Sequence, residues 1–212
     1  SIRQFNVKHP NIKINGVVTF WDECTLLTSK IVDAFNFIGI PHNVARVTKN
    51  KYLFREFCAQ QGIRTPRHRL LHNRKDLPAI ERELEYPMVV KPIYGACSAY
   101  VVKVSNRQEF EETFEYVKNN IKSFWLAPEW ENLEFYVEEY IDGDEVDMDI
   151  LLQNGKIKFY SISDNFNKNK DRFFVDSGQA IPSGLPTGDQ HTLISLAEET
   201  LEKLGIQDGC IH

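Results

Sequence analysis

Apolar and polar positions change period several times along the chain, and each change predicts an element. Gly16-Val17-Val18-Thr19-Phe20-Trp21 is a continuous β-rich run and reads as a buried parallel strand. Thr25 to Phe37 follows with Leu26, Leu27, Ile31, Ala34, Phe35 and Ile38 in helical spacing, ending at Gly39 before Ile40-Pro41. Strand then helix is one α/β unit. Trp21 to Thr25 form its corner, where ligands often meet open α/β sheets, although Asp22 and Thr25 would equally serve as helix caps. Thr48-Lys49-Asn50-Lys51 opens a second helix carrying Tyr52, Leu53, Phe54, Phe57 and Cys58, stopped by Gly62-Ile63-Arg64-Thr65-Pro66. Arg67 to Leu71 then reads as a strand and Asp76 to Leu84 as a charged helix.

The stretch around which the rest is arranged is Pro87-Met88-Val89-Val90-Lys91-Pro92, followed by a small loop, Gly95-Ala96-Cys97-Ser98, and a return strand, Tyr100 to Val104. A hairpin with a lysine closing an apolar strand needs an anion for that lysine, or a route to water. Small residues beside it let backbone amides approach an anion, and phosphate is the natural candidate. A strand-terminal lysine beside a small turn is also ordinary surface architecture. Arg107 to Asn119 places Phe110, Phe114 and Val117 on one helix face, with Glu109, Glu111, Glu112 and Glu115 on the solvated side.

Phe135 to Ile141 is a strand, Asp142-Gly143-Asp144 a turn, and Glu145 to Leu152 a strand in strict alternation, so Glu145, Asp147 and Asp149 share a face. That face is either solvated or set toward a ligand or metal. Asn154-Gly155 is a two-residue hairpin turn into Lys156 to Ser163. Asp164 to Arg172 reads as a polar surface loop whose basic part, from Asn165, is placed to close over a site. Phe173 to Ser183 contains a further strand, and Gln190 to Leu204 is an amphipathic helix stopped by Gly205. The succession predicts an α+β fold with a cleft between lobes.

Composition narrows the function classes. The 212 residues carry Lys+Arg 25 against Asp+Glu 30, a formal net charge of -5, which argues against general nucleic-acid binding and leaves room for a local basic pocket. Cys24, Cys58, Cys97 and Cys210 are widely spaced and suggest free thiols rather than a zinc site or disulfide framework, so a cytoplasmic protein is expected. The chain has neither a charged-then-apolar leader nor an apolar run long enough for a membrane span. It starts without Met and stops where an apolar strand has just begun, at Gly209-Cys210-Ile211-His212, so a fragment is expected. His42, His68, His72, His191 and His212 show no metal-ligand or triad spacing and read as structural or exposed, and Cys97 reads as a small loop residue rather than a nucleophile.

Several segments, in order and at fitting separations, resemble the ATP-grasp superfamily of carboxylate-amine ligases. They are Asn50-Lys51-Tyr52 with Gly62 to Pro66, Tyr86 to Pro92, the Gly95 to Ser98 loop, and Val137-Glu138-Glu139-Tyr140-Ile141-Asp142-Gly143-Asp144-Glu145; Pro182-Ser183-Gly184-Leu185 and Gly209 to His212 continue the pattern. Val18 to Thr25, Glu145 to Asp149 and Ser161-Ile162-Ser163-Asp164-Asn165 look most like the carnosine synthase group of dipeptide ligases. The resemblance implies an ATP-grasp fold divided into the end of an N-terminal α/β domain (1–47), a linker (48–86), a small lobe (87–137) and a large lobe (138–212), incomplete at its C-terminus. It implies ATP and Mg2+ as cofactors. It puts Lys51 and Lys91 on the nucleotide phosphates, Gly95, Ala96 and Ser98 in a loop folding over them, Glu138, Glu139, Tyr140 and Ile141 in a hinge whose backbone reads adenine, and Glu145 on the ribose hydroxyls.

Such ligases activate a carboxylate as an acyl phosphate and join it to an amine. The implied partners are therefore a nucleotide, an amino acid or other carboxylate, and an amine, with no nucleic acid or membrane; homo-oligomerisation stays open. No catalytic residue is assigned and no metal ligand is found, because the family's acidic metal ligands should come after the strand that His212 begins. The segment by itself is expected to be inactive or weakly active. A biotin-carboxylase-like or purine-pathway ligase, or a nucleotide-binding module without catalysis, remain alternatives.

Overall fold

Alternation in the strand Met88–Pro92 (β2) sends Met88 and Val90 to one side and Val89 and Lys91 to the other, and that division organises the first half of the chain. The computed structural model describes residues 1–121, 134–167 and 173–212. Strand β1 (His68–Leu71), β2, β3 (Val102–Val104) and β4 (Phe135–Glu139) form an antiparallel sheet in the order β1-β4-β2-β3. On one face, Met88, Val90, Val102, Val104, Phe135 and Val137 meet Phe110, Phe114, Val117 and Ile121 from helix α6 (Arg107–Asn120) and its end. This is the larger core. The other face carries Lys91 opposite Tyr136 and Val89 opposite Glu138. The first sheet thus takes β1 from the stretch read as linker.

The second sheet, β7-β6-β5-β8, is also antiparallel and comprises β5 (Glu145–Gln153), β6 (Lys156–Asn167), β7 (Asp176–Ala180) and β8 (Gly209–Ile211). Asn154 (φ 52°) and Gly155 (φ 68°) both sit in the left-handed region, the geometry of the expected two-residue hairpin turn. Ile150 and Leu152 face helix α7 (Thr187–Leu204), packing on Leu201 and Ile206, and Ile40 and Val44 close that smaller core from the N-terminal side. Gly205 (φ 71°) ends α7 in the left-handed conformation, as its position predicts.

Before these sheets come four helices: Ile2–Lys8 (α1), Thr25–Phe35 (α2), His42–Lys49 (α3) and Lys51–Gln60 (α4). A short helix, Leu77–Ile80 (α5), lies between β1 and β2, much shorter than the Asp76 to Leu84 helix expected. The run Gly16 to Trp21 is not a strand: it pairs with none of the described strands, and Val18, Phe20 and Trp21 are exposed. An extended apolar segment becomes a strand only by hydrogen-bonding a neighbour, and among the described residues no strand pairs with it. Helix α2 ends at Asn36, left-handed at φ 52°, rather than at Gly39. Asp22 and Thr25 do not cap it; Asp22 ion-pairs with Lys49 instead.

Residues 42–49 form a helix that the sequence reading did not anticipate, and Asn50 breaks it from α4 by taking an extended backbone (φ -95°, ψ 104°). The stretch expected as loop from Asp164 is strand up to Asn167, with Asp164 opposite Ala180 and Asn165 opposite Gln179; residues 168–172 of that expected loop lie outside the described residues. All four cysteines are free thiols. No helix among the described residues is long and apolar enough to cross a membrane.

Phe110 is fully buried at the centre of the larger core, while Tyr116 on the same helix is 58% exposed. Phe110→Ala should lower the unfolding free energy by about 3–5 kcal/mol in a urea titration, and Tyr116→Ala by less than about 0.5 kcal/mol.

Candidate functional site

Asn50 is the residue from which the site is built. Its Oδ1 accepts the Leu53 amide (2.8 Å), capping α4, and its Nδ2 donates to the Tyr94 hydroxyl (3.0 Å). The next amide, Lys51 N–H, donates to Ile93 O (3.0 Å). The first turn of α4 is therefore pinned to the end of β2, and Lys51 is brought beside Lys91 although forty positions separate them in sequence. One turn later, Arg55 leaves α4 on the same face.

Below α4, the polar face of the first sheet presents Glu138, only 5% exposed. Arg55 Nε donates to Glu138 Oε2 (2.9 Å), and the Lys91 ammonium holds Oε1. Lys91 also lies over the Tyr136 ring, 5.5 Å from its centroid. Burial alone would raise the Glu138 carboxyl, but Lys91 and Arg55 outweigh it and hold the group below its ordinary value. Burial drives Lys91 down; Glu138 pulls it back up, and Arg55 again opposes its charge. One carboxylate serves two cations, so the carboxylate is over-compensated and the lysine under-compensated.

Lys51 adds a third cation. Burial, then the charges of Lys49 and Lys91, push its ammonium down to about 8, against the pull of Asp22. It donates to the carbonyl oxygen of Gly95. The loop it reaches is strained: Cys97 (φ 55°), Ser98 (φ 51°) and Tyr100 (φ 59°) all occupy the left-handed region without being glycine, and Gly95 has φ 137°. Each such non-glycine residue costs on the order of 1 kcal/mol, and strain of that kind gathers at ligand clamps. Tyr100 anchors the loop by donating to Asn120 O (3.1 Å).

These groups wall a cavity of about 920 Å3 between the two sheets. Lys51, Lys91, Gly95, Ala96, Ser98, Tyr140, Ile141 and Glu145, all singled out from the sequence, line it. Glu138 stands behind Lys91 rather than in the lining, and its backbone is paired in the sheet opposite Val89 and His68. Glu139 points away to an ion pair with Arg67 (2.7 Å), and its amide donates to Arg67 O. Tyr140 N–H donates to Pro87 O (3.3 Å), after which the chain leaves the sheet and Ile141 enters the cavity wall.

On the opposite wall, burial and then Asp176 and Asp147 raise the Glu145 carboxyl, against Lys91. Asp147 is committed to the sheet, accepting from Asn165 Nδ2 (2.7 Å) and Gln179 Nε2 (3.1 Å), and Asp149 bonds His212 Nδ1 (3.0 Å). Residues 173–174 reach across from the second sheet: Phe173 bridges Val102, and Phe174 meets the Tyr140 ring.

Sequence reading missed Arg55, Phe174 and Ser177 in the lining; Asn165 and Phe166 open the segment expected to close over a site and line the cavity from a strand instead of a loop. The spacing of Arg55 four residues after Lys51 was the available signal; Phe174 and Ser177 belong to the stretch read only as containing a strand. The donor set suits an anionic, phosphate-bearing ligand: cations and a strained small-residue loop at the wall of one cavity. Among the described residues, no group of three or more His, Cys, Asp or Glu side chains is gathered to hold a metal ion.

The family model for the ATP-grasp domain matches residues 84–212. The ATP-grasp enzyme fsqD of Aspergillus fumigatus is 28% identical over 210 residues, 94% of this chain and 34% of its own length. Human carnosine synthase 1 is 22% identical over 97% of this chain and 26% of its own, and the D-alanine--D-alanine ligase of Azoarcus sp. 24% identical over 81% and 55%. The crystal structure of an L-amino acid ligase from Bacillus licheniformis is similar with a TM-score of 0.81 at 28% identity, covering 99% of this chain and 48% of that one. The chain thus spans between about a quarter and a little over half the length of these relatives.

Replacing Glu138 by Gln leaves two partly buried cations without their anion and should cost about 3 kcal/mol of stability near neutral pH. The pH dependence has a definite sign. A carboxyl held below its ordinary value of 4.5 contributes stability that is present above that value and is lost as pH falls through the depressed one. Denaturant titrations across pH 2–7 should therefore show the gap between wild type and variant closing on the acid side.

Proposed function

Taking as premise that this chain belongs to the ATP-grasp domain family, we propose that it forms the nucleotide-binding part of an ATP-dependent ligase that joins an amino acid carboxylate to an amine. The observation that carries the reading is the excess of cations, Lys51, Lys91 and Arg55 around the single carboxylate of Glu138, at the wall of one cavity under a strained loop. Lys51 and Lys91 take the phosphates as point charges, and Gly95, Ala96 and Ser98 fold over them. The backbone that leaves the sheet after Tyr140 offers a donor and an acceptor to the adenine edge, with Ile141 against the ring. Glu145, across the cavity, accepts the ribose hydroxyls. Glu138 acts through Lys91, and Glu139 through the Arg67 pair that fixes the strand end.

ATP is the nucleotide of this reading and Mg2+ its accompanying ion, whose chemistry is to neutralise phosphate charge. The phosphate ligands fit; the described residues gather no metal set, so every step assigned here belongs to the chain's own side chains. A substrate carboxylate would accept the γ-phosphoryl group, and an amine would displace phosphate from the resulting acyl phosphate. Positioning and charge neutralisation are the main demands of such chemistry. The likeness to the L-amino acid ligase, the D-alanine--D-alanine ligase and carnosine synthase 1 supports an amino acid as the carboxylate and a dipeptide as product. The four free thiols fit a reducing, cytoplasmic setting. The division into residues 1–47, 48–86, 87–137 and 138–212 stays part of this reading, with β1 lent by the second segment to the sheet of the third.

ADP at a hundred times its dissociation constant should raise the unfolding free energy by about 2.7 kcal/mol, read as a thermal shift, and Lys91→Ala should abolish the shift while remaining folded. A wild-type chain unmoved by millimolar ADP would overturn the proposal. Phosphate release with amino acid pairs, set against bicarbonate, tests the substrate class. A lysine whose ammonium titrates at about 8 in the free site also gives ADP affinity a pH dependence. Affinity should fall as pH rises above about 8, because the charge that meets the phosphate is lost, and calorimetry with Lys51→Met should show that limb flattened.

A further inference from the structure

Helix α4 presents two cations to the cavity one turn apart, Lys51 and Arg55, and only the first has a role in the reading above. Arg55 spends its Nε on Glu138 Oε2 (2.9 Å) while Lys91 occupies Oε1, and the Glu138 side chain is 7% exposed. When a phosphate enters, the Lys91 ammonium must turn toward it, wholly or in part. An ammonium has three donors around one point charge, so any it gives to phosphate loosens its hold on Glu138. The Glu138 carboxylate would then be a buried charge with its partner withdrawn, a costly state unless a second cation remains. Among the described residues, Arg55 is the other cation bonded to it. Its guanidinium does not deprotonate, and its helix is pinned by the Asn50 cap and the Lys51 N–H to Ile93 O bond.

We propose that Arg55 is a positioning residue of the nucleotide site: it keeps the buried Glu138 carboxylate compensated, so that Lys91 can pass its ammonium from that carboxylate to the nucleotide phosphate. The inference rests on the nucleotide reading of the cavity. It makes Glu138 an internal anion that competes with phosphate for Lys91 and makes Arg55 the residue that settles the competition in favour of phosphate. The terminal nitrogens of Arg55 are not required to touch the ligand.

A double-mutant cycle read by ADP calorimetry tests this, using wild type, Arg55→Met, Glu138→Gln and the two combined, with Arg55→Lys beside them, each checked for a cooperative thermal transition. Arg55→Met should weaken ADP binding at least tenfold, about 1.4 kcal/mol, whereas Arg55→Lys, which keeps the charge, should stay within about threefold of wild type. Adding Glu138→Gln to Arg55→Met should recover most of the loss, because no buried carboxylate is left to hold Lys91. If Arg55 instead touched the phosphates directly, Arg55→Met would weaken ADP binding as much in the Glu138→Gln background as in wild type, and the proposal would be wrong. A purely structural role would leave the affinity of the folded Arg55→Met protein unchanged, which also overturns it. Should Arg55→Met not fold, Arg55→Gln enters the cycle in its place. Wild type failing to bind ADP would remove the nucleotide reading itself, and the inference with it.

Discussion

The structure depends on a single buried carboxylate that two cations share. Glu138 lies on the face of the first sheet that meets α4, where an ordinary sandwich would put apolar side chains, and Arg55 and Lys91 both close on it. Helix α4 is fastened to the sheet by this polar cluster together with Tyr52, whose ring meets those of Tyr136 and His68. The arrangement carries one positive charge too many for self-neutrality even before Lys51 is counted. A site with that surplus, walled on the far side by Glu145 with its raised carboxyl, is polarised across its width. It suits a ligand that is anionic at one end and rich in hydroxyls near the other.

Much of this was written in local pattern. The β2–β3 hairpin, the Phe110, Phe114 and Val117 stripe of α6, the alternation of β5 and the Asn154-Gly155 turn each follow from rules that act within a few residues, and each is found. The lysine at the hairpin mouth was legible as a residue needing an anion. Its partner within the chain was not, because Glu138 is 47 positions away and is brought close only by β2–β4 pairing. Nothing in the spacing of two charged residues on different strands says that they will be diagonal neighbours on one face.

The misreadings have a common cause. Gly16 to Trp21 has strand composition but no pairing neighbour among the described residues, and Val18, Phe20 and Trp21 stay exposed. Asp164 to Asn167 has loop composition but lies between β5 and β7 and is strand all the same. In both places pairing decided the outcome against propensity, as it commonly does for sheets. The unanticipated helix at 42–49 is short, and its boundary at Asn50 depends on a side chain that caps the helix after it and reaches Tyr94 far along the chain.

Strand β6 contains one residue more than its partner needs. Leu151 faces Phe159 and Leu152 faces Ile157, so Lys158 is accommodated as a bulge. That extra residue switches the parity of the strand: Ile157 packs inward on the smaller core, yet Ile162, an odd number of positions later, packs inward too, and Asn165 is delivered to the cavity opposite Glu145. The bulge is thus a phase shifter placed at the hairpin end, far from the cavity. An apolar anchor near the turn and a polar contribution to the site are thus set on one strand in different phases, and one inserted position makes the change between them.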